Sequence, residues 1–362
     1  LGERLELLPK LRYKRQQPWR MVESLDLIGE ANLYDRSFER LEASLLAHWQ
    51  PPIEGLGATF GVQAHADRAW ENADPEARVG YENLALFAQA VYQNPIADLT
   101  VGARGESHSA AGFSFVPRAG VTRVFGDLHV KALYSAAFKA PGVANLELNE
   151  QIRPERTQVI ELEAGWLATP DLYVALNVFD VTIEDAIVYD VDPETTEERY
   201  FNFPRTGTAG AEAVLKYRHA RGFANLGYAF AHAGKNEIPL YAVPGESRVM
   251  LGMPQHKLSA AGSVELLRRL SIAPSVVFMS GRHGFAGTDD EGTPTIEERP
   301  AAWLVDLFVT WRPKAADGLT LSAGVHNLLD VELDFLQPYD GGQAALPDLG
   351  REVGLRLAYE RW

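Results

Sequence analysis

The chain contains no cysteine among its 362 residues. Disulfide scaffolds, thiolate metal centres and cysteine nucleophiles are thereby excluded, and an oxidising compartment is compatible with the composition. No run of about 18 apolar residues occurs, so no helix of this chain spans a bilayer. Positive charge is scarce: 34 Lys and Arg stand against 49 Asp and Glu, a formal net charge of -15. That leaves no basic stripe to neutralise phosphates, which excludes nucleic acid as a partner. Catalytic signatures are missing too. There is no Gly-x-Ser-x-Gly elbow, no phosphate loop and no His-Glu-x-x-His site, and the nine His carry no metal-ligand spacing. The chain reads as a non-enzyme for which no cofactor is implied. No signal peptide is evident and the first residue is Leu1 rather than Met, so the N-terminus reads as processed or cut.

What is present is alternation. In the stretch 303–311, Trp303, Val305, Leu307, Val309 and Trp311 fall on one face, and Leu304, Asp306, Phe308 and Thr310 on the other. This is the period of a strand. Leu319, Leu321, Ala323 and Val325 repeat the oily stripe, with Thr320, Ser322, Gly324 and His326 opposite. The two Trp of the first stripe lie eight residues apart, about 26 Å along a strand and about 20 Å in height at a tilt of about 40°. That approaches the apolar band of a membrane barrel, the one spanning structure besides the helix that pairs all its backbone groups.

Similar runs recur at 40–48, 57–65, 83–92, 99–106, 113–124, 128–135, 157–167, 172–181, 210–217, 223–230, 256–266 and 270–280. A weaker candidate at 5–13 and a terminal strand from 351 bring the count to roughly sixteen. The connections alternate between short turns rich in Gly, Pro, Asn and Asp and long insertions at 67–80, 137–156, 183–208, 231–255, 281–300 and 327–350. Short turns at one rim and long loops at the other are a barrel signature. A β-sandwich, propeller or β-helix would also give many short strands. No fixed repeat period supports the last two, and a sandwich does not account for the alternating connection lengths. Lys131, Glu161, Glu163, Asn177, Asn225, Ser259, Asp306 and Thr310 are assigned to the wet face, where His326 also falls. Trp49, Trp166, Trp303 and Trp311 are assigned to interfacial girdles.

Ordered segments of the chain resemble a known family. Asn83-Leu84-Ala85-Leu86-Phe87-Ala88-Gln89, Leu99-Thr100-Val101-Gly102-Ala103-Arg104, Pro117-Arg118-Ala119-Gly120-Val121 and Tyr134-Ser135-Ala136-Ala137-Phe138-Lys139-Ala140-Pro141 are similar to the barrel of TonB-dependent outer-membrane receptors, with Lys139 where that family usually carries Arg. Arg153-Pro154-Glu155, Asn177-Val178-Phe179, Ile183-Glu184-Asp185-Ala186-Ile187, Tyr200-Phe201-Asn202, Val243-Pro244-Gly245, His256-Lys257-Leu258, Asn327-Leu328-Leu329-Asp330, Gln337-Pro338-Tyr339 and Leu346-Pro347-Asp348-Leu349-Gly350-Arg351-Glu352 follow in the family's order. The resemblance implies an all-β, antiparallel transmembrane outer-membrane β-barrel, of which residues 1–362 form a C-terminal portion: roughly 16 strands of a 22-stranded barrel, without the family's plug domain. It implies a bacterial outer-membrane receptor for energised uptake of a scarce solute of the siderophore-iron, haem or cobalamin class. The implied partners are outer-membrane lipid and lipopolysaccharide, the plug, a TonB-type energy transducer and a small-molecule or metal-chelate ligand. The alternatives are a passive porin-like pore and a soluble β-rich binding module. In the terminal stripe Val353, Leu355, Leu357, Tyr359 and Arg361 are in phase, and the aromatic Trp362 is not.

Long connections at one rim converge over a mouth, and their aromatics offer rigid apolar area with polar tips. Tyr189, Tyr200, Phe201, Tyr241, His283, Phe285, Phe335 and Tyr339 are the candidate ligand contacts, the alternative being that several of these rings pack the loops together. His108, His232 and His283, near loop starts, could face a ligand such as haem. Carboxylates crowd two connections, and Asp190, Asp192, Asp289 and Asp290 are candidate Ca²⁺ ligands, against the reading of a solvated acidic surface.

Overall fold

A computed structural model describes residues 4–20, 35–71, 78–191, 198–336 and 345–360. The chain is all-β, with one six-residue helix at Val143–Leu148 and a turn of 3-10 helix at Pro239–Tyr241. No helix among the described residues is long and apolar enough to cross a membrane. The strands are β1 (Leu5–Arg20), β2 (Asp35–Trp49), β3 (Leu56–Glu71), β4 (Arg78–Gln93), β5 (Asp98–His108), β6 (Gly112–Phe125), β7 (Leu128–Lys139), β8 (Glu155–Thr169), β9 (Leu172–Val191), β10 (Glu198–His219) and β11 (Gly222–His232). There follow β12 (Ala242–Val243), β13 (Glu246–Met250), β14 (His256–Leu267), β15 (Leu270–Met279), β16 (Arg282–Thr288), β17 (Pro294–Arg299), β18 (Ala302–Trp311), β19 (Leu319–His326), β20 (Asp334–Phe335), β21 (Leu346–Pro347) and β22 (Glu352–Tyr359). Sixteen of them form one sheet in the order β1-β2-β3-β4-β5-β6-β7-β8-β9-β10-β11-β14-β15-β18-β19-β22. The pairs β12-β13, β16-β17 and β20-β21 are two-stranded ribbons inside long connections. The chain clusters into two compact units, the first Leu1–Arg123, Leu133–Val159 and Ile183–Pro204, the second Val124–Ala132, Ile160–Thr182 and Arg205–Trp362.

In the first unit, register turns the alternation into rows that cross β1 to β6. One face carries Leu11-Ala43-Ala64-Leu84-Ser107-Phe113, then Pro9-Leu45-Val62-Leu86-Gly105-Phe115, then Leu7-Ala47-Phe60-Ala88-Ala103-Pro117. Below them run Leu5-Trp49-Ala58-Ala90-Val101-Ala119 and Leu56-Tyr92-Leu99-Val121. Five successive rows contain no charged residue. From the first row to the fifth is eight residue steps, about 27 Å along the chain and about 20 Å in height at barrel tilt. The opposite face carries Arg40-Asp67-Tyr81, Glu42-His65-Asn83-His108 and Ser44-Gln63-Ala85-Glu106-Ser114. The polar face is the tighter one: Asn83 and Glu106 are buried while Leu84 and Leu86 are exposed.

The second unit repeats this arrangement. Pro274-Leu307-Val325-Val353, Ile272-Val309-Ala323-Leu355 and Leu270-Trp311-Leu321-Leu357 form the apolar rows. Ser271-Thr310-Ser322-Arg356 is a row of the other face. All four girdle candidates, Trp49, Trp166, Trp303 and Trp311, are exposed, between 42% and 51%. A soluble sheet buries its oily face; this one displays it.

Short turns close one rim at 50–55, 94–97, 126–127, 170–171, 220–221, 268–269 and 312–318. Gly55 illustrates their chemistry: its φ is +75°, and a Cβ there would meet the Gln93 carbonyl oxygen at 1.9 Å. At the other rim two expected loops are largely strand. Ladder pairing of β3 with β4 continues from Asp67-Tyr81 to Trp70-Arg78, so the 67–80 connection shrinks to 72–77. The 183–208 connection shrinks in the same way to 192–197 between β9 and β10. Backbone pairing does not need the apolar stripe, so strands run past it on polar residues. The connection at 109–111 is short as well. Arg361 and Trp362 lie outside the described residues.

Candidate functional site

In the first unit, the ends of β9 and β10 carry Tyr189, Tyr200 and Phe201. Tyr189 and Tyr200 meet edge to face at 5.3 Å between centroids, Phe201 packs on Phe203 at 6.5 Å, and the Arg199 guanidinium lies 5.6 Å from the Phe201 ring. These contacts hold the rings in place before any ligand arrives. The connection 140–154 is fastened to the same strands. The Arg153 guanidinium donates to Asp185 at 2.6 Å, and its backbone N–H donates to the Asn202 side-chain oxygen at 2.7 Å. Asn202 Nδ2 donates to the carbonyls of Arg153 at 2.9 Å and Asp185 at 2.8 Å. Asn149 Nδ2 donates to the Tyr200 carbonyl at 2.8 Å. Asp185 adopts φ +53°, a left-handed conformation that these partners hold in place.

The polar face of β2 to β5 bears a cluster that sequence reasoning missed. Arg40 forks onto Asp67 through two contacts of 2.6 Å, and His65 stands 3.8 Å from the same carboxylate. Arg104 donates to Glu106 at 2.6 Å and to Gln63 at 3.2 Å, with its guanidinium 5.6 Å from the Phe87 ring. Phe87 in turn covers Gly61, whose absent Cβ leaves the room. His108 stacks on Tyr81 at 5.5 Å, and its Nδ1 accepts the N–H groups of Ala110 and Ala111 at 3.2 Å each. That nitrogen serves the turn at 109–111. Asn83 Oδ1 is buried with no hydrogen-bond partner among the described residues. In the lower part of the sheet His129 contacts Glu163 at 2.9 Å and Lys131 approaches Glu161 at 4.0 Å, so the expected wet-face residues pair with one another.

In the second unit, the connections 233–255, 280–301 and 327–336 gather on one another. Val243, Val249, Leu251 and Phe285 form a small buried core, with Ile296 packed against it. Phe285 is 8% exposed. Its ring packs the loops together, the alternative the sequence leaves open, because three apolar loop residues share it as a common partner. Leu336 fills the space over Gly284. Tyr241 accepts the Leu251 N–H on its carbonyl at 3.1 Å, and the His283 carbonyl accepts the Gly252 N–H at 2.7 Å. His283 Nδ1 is buried without a partner among the described residues, and Phe335 is exposed on the β20-β21 ribbon. His232 stacks on Phe230 at 5.9 Å. Burial pulls the Arg282 guanidinium down from its ordinary value, with Asp334 opposing the shift. Tyr339 lies outside the described residues.

The carboxylates serve the backbone. Asp190 Oδ1 accepts the Val191 N–H at 2.8 Å, and Asp289 Oδ1 accepts those of Glu291 and Thr293 at 3.0 and 2.8 Å, a turn at the tip of the β16-β17 ribbon. Asp290 is exposed and Asp192 lies outside the described residues. Among the described residues no three His, Cys, Asp or Glu side chains converge as a cation site requires. At the root of the last long connection Asp306 accepts the Asn327 N–H at 3.0 Å and the Ser275 hydroxyl at 2.9 Å. Asn327 side-chain atoms then clasp Val331, and Asp330 Oδ1 accepts the Arg351 N–H at 3.2 Å.

An antiparallel sheet of sixteen strands, with uncharged exposed rows backed by polar ones in each unit and short turns at one rim, has the features of a transmembrane β-barrel wall. Comparison with known proteins gives the class a family. Residues 14–328 match the model described as TonB dependent receptor-like, beta-barrel, and the chain belongs to that family, whose members are outer-membrane transport receptors. Similar solved structures include the siderophore receptor PirA from Acinetobacter baumannii, with 15% identity over 98% of this chain and 59% of that one at a TM-score of 0.73. The ferric enterobactin receptor PfeA from Pseudomonas aeruginosa shows 16% identity over 99% and 60% at 0.75. The FrpB iron transporter from Neisseria meningitidis shows 15% identity over 90% and 55% at 0.70. The chain thus spans 55% to 60% of the length of these three structures. No curated protein matches the sequence.

Proposed function

We propose that this chain is a major part of the barrel of a bacterial outer-membrane receptor that takes up a scarce, bulky solute of the iron-chelate class. The reading is carried by the five uncharged rows on the exposed face set against the buried polar rows behind them. The one face suits lipid; the other suits a plug or hydrated solute. Iron and siderophore transport by similarly folded receptors supports the substrate class. Capture would fall to Tyr189, Tyr200 and Phe201 in the first unit, and to Tyr241, His283 and Phe335 in the second, with a plug domain and a TonB-type transducer supplying the energised step. The test is growth of a bacterium depleted of its own receptors on ferric chelates as the sole iron source. Rescue by the complete receptor that depends on the inner-membrane energy transducer supports the proposal. Equal rescue without the transducer, together with steady ion conductance in planar bilayers, identifies a passive pore instead.

A further inference from the structure

At the turn end of the second unit three hairpins lie side by side, since β10-β11, β14-β15 and β18-β19 are successive pairs in the sheet order. Their turns read Arg218-His219-Ala220-Arg221, Arg268-Arg269 and Arg312-Pro313-Lys314-Ala315-Ala316-Asp317-Gly318. Six cations stand there against one carboxylate, on a chain whose net charge is -15. All six are exposed. Arg269 has Asp317 at 3.8 Å, while among the described residues Arg218, Arg221, Arg268, Arg312 and Lys314 make no ion pair. Turns as such do not require this: 50–55 and 94–97 in the first unit carry no cation. At the other end of the second unit the connection 281–300 holds Asp289, Asp290, Glu291, Glu297 and Glu298 against Arg282 and Arg299. Charge that only keeps a surface solvated serves with either sign. Segregation of one sign at one end of a unit makes a field that selects its partner.

The turns are fastened to their neighbours. The Arg218 N–H donates to the Asp171 carbonyl at 2.9 Å, the Glu265 N–H to the Arg221 carbonyl at 2.8 Å, and the Arg312 N–H to the Arg269 carbonyl at 2.9 Å. Arg269 has φ +74°, where a two-residue turn commonly places Gly or Asn. Its N–H is held by the Glu265 carboxylate at 2.9 Å, and its guanidinium donates to the Pro313 carbonyl at 3.4 Å. Turns two strands apart lie about 9.5 Å from one another, so the three form a row about 19 Å long whose backbone is fixed before a partner arrives. At the β10-β11 end of this row a cleft of about 240 Å³ opens, with Tyr173 and Phe223 as its rings, Lys216, Arg218 and Asn225 as its polar groups, and Asp171 at its edge. Lys216 belongs to the polar row Lys216-Asn225-Ala261-Ser275-Asp306, and the adjacent row Leu215-Leu226-Ala260-Val276-Val305 is the apolar one. The cleft's cations therefore lie on the face that acyl chains do not reach.

We propose that this turn rim docks an acidic, extended segment of a periplasmic protein, whose carboxylates meet the cations of successive turns while one apolar side chain enters the cleft between Tyr173 and Phe223. Charge complementarity and spacing name the occupant. An extended polyproline-type segment rises about 3.1 Å per residue and returns to the same face every third residue, so carboxylates about three residues apart match turns about 9.5 Å apart. Guanidinium groups bind carboxylates in bidentate forks, and five of the six rim cations have no carboxylate of their own. Lipid headgroups would approach from the apolar face and leave the cleft empty. The inference rests on the reading of the chain as an outer-membrane barrel wall whose short turns face the periplasm.

The probe is a fluorescent proline-rich peptide with glutamate at every third position and a terminal phenylalanine, titrated by anisotropy against the complete receptor in phosphatidylcholine nanodiscs. The wild type should bind it and discriminate against the glutamine version of the same peptide, with affinity that falls as salt is raised. The combined variant R218Q/R221Q/R268Q/R312Q/K314Q should lose at least about tenfold in affinity, while R218K/R221K/R268K/R312K retains most of it. Asn225→Trp, which fills the cleft, should remove the contribution of the phenylalanine. Heat-modifiable migration on gels shows which variants are folded, and the salt dependence and the glutamine peptide test the wild type alone. Equal affinity for the two peptides, binding indifferent to salt, or unchanged binding by the folded glutamine variant overturns the docking surface. So does loss of peptide binding when phosphatidylglycerol is added to the nanodisc at constant salt, because the cations then belong to lipid headgroups. Ala315→Cys separates this failure from failure of the underlying reading. Its labelling by an impermeant maleimide only after the outer membrane is permeabilised keeps the turns periplasmic, whereas labelling in intact cells overturns the periplasmic rim and the inference together.

Discussion

Replacing Leu86 with arginine separates a membrane wall from a soluble sheet more sharply than any other single substitution. Leu86 sits one row from the middle of the five uncharged rows and is 61% exposed. In water, an exposed leucine contributes little, and a change to arginine shifts stability within about 0.5 kcal/mol. In a bilayer, arginine near the midplane of a barrel's lipid face costs about 2 to 4 kcal/mol. That is roughly 30- to 700-fold in the folding equilibrium. Gln89, three residues on, faces the opposite way beside Thr59 and Gly102. Gln89→Arg should therefore cost less than about 1 kcal/mol, because polar-face positions tolerate charge. Leu11→Arg, at the upper edge of the uncharged rows, should cost about 0 to 1 kcal/mol, since the penalty falls toward the interface. The assay is denaturant titration of the protein folded into phosphatidylcholine vesicles, followed by the fluorescence of its seven Trp. Equal costs for Leu86→Arg and Gln89→Arg, or a larger cost at Leu11 than at Leu86, would refute the assignment of faces.

Other consequences follow from particular contacts. Asn202→Ala removes one acceptor and two donated bonds that tie 140–154 to the β9-β10 hairpin; it should cost about 1 to 3 kcal/mol locally, read as faster amide exchange at Arg153 with β1 to β5 unchanged. A side chain at Gly61 would meet the Phe87 ring at 2.1 Å, so Gly61→Val should destabilise by about 1 to 3 kcal/mol, and Phe87→Ala in the same chain should recover part of that loss. Asp289→Ala should loosen the β16-β17 ribbon, seen as protease cleavage near the tip, while calorimetric titration with calcium stays flat in variant and wild type alike. Asp306→Ala leaves the Asn327 N–H without its acceptor and should release the root of the last connection, lowering the protection of Asn327 and Leu328.

The sequence displayed the sheet where apolar residues alternate. The faces of 303–311 and 319–326 follow from period alone, whereas the pairing of Leu307 with Val325 is set by register that only the fold shows. Strand ends were illegible because β3, β4, β9 and β10 continue on polar residues whose pattern no longer reports a lipid boundary. The family-like segments around Arg153, Asp185 and Asn202 were visible as separate pieces, 32 and 49 residues apart for the pairs Arg153 to Asp185 and Arg153 to Asn202. Only the fold shows that they are one hydrogen-bonded joint. The Arg40-Asp67 and Arg104-Glu106 cluster left a trace in the sequence, polar residues at alternate positions opposite the stripe, but register is what assembles it. The burial of Phe285 is not legible in the sequence, because composition does not separate a loop's core from its surface.

The orientation of β4 is the central claim, and the absence of cysteine makes it directly measurable. Single substitutions Leu84→Cys, Leu86→Cys, Ala88→Cys and Ala90→Cys, and Phe87→Cys, Gln89→Cys and Val91→Cys, each give one thiol to carry a bimane probe in vesicles containing lipid brominated along its acyl chains. Contact quenching should alternate with a period of two, strong at 84, 86, 88 and 90 and weak at 87, 89 and 91. Uniform quenching, none at any position, or the opposite phase would contradict a wall with lipid on its apolar face.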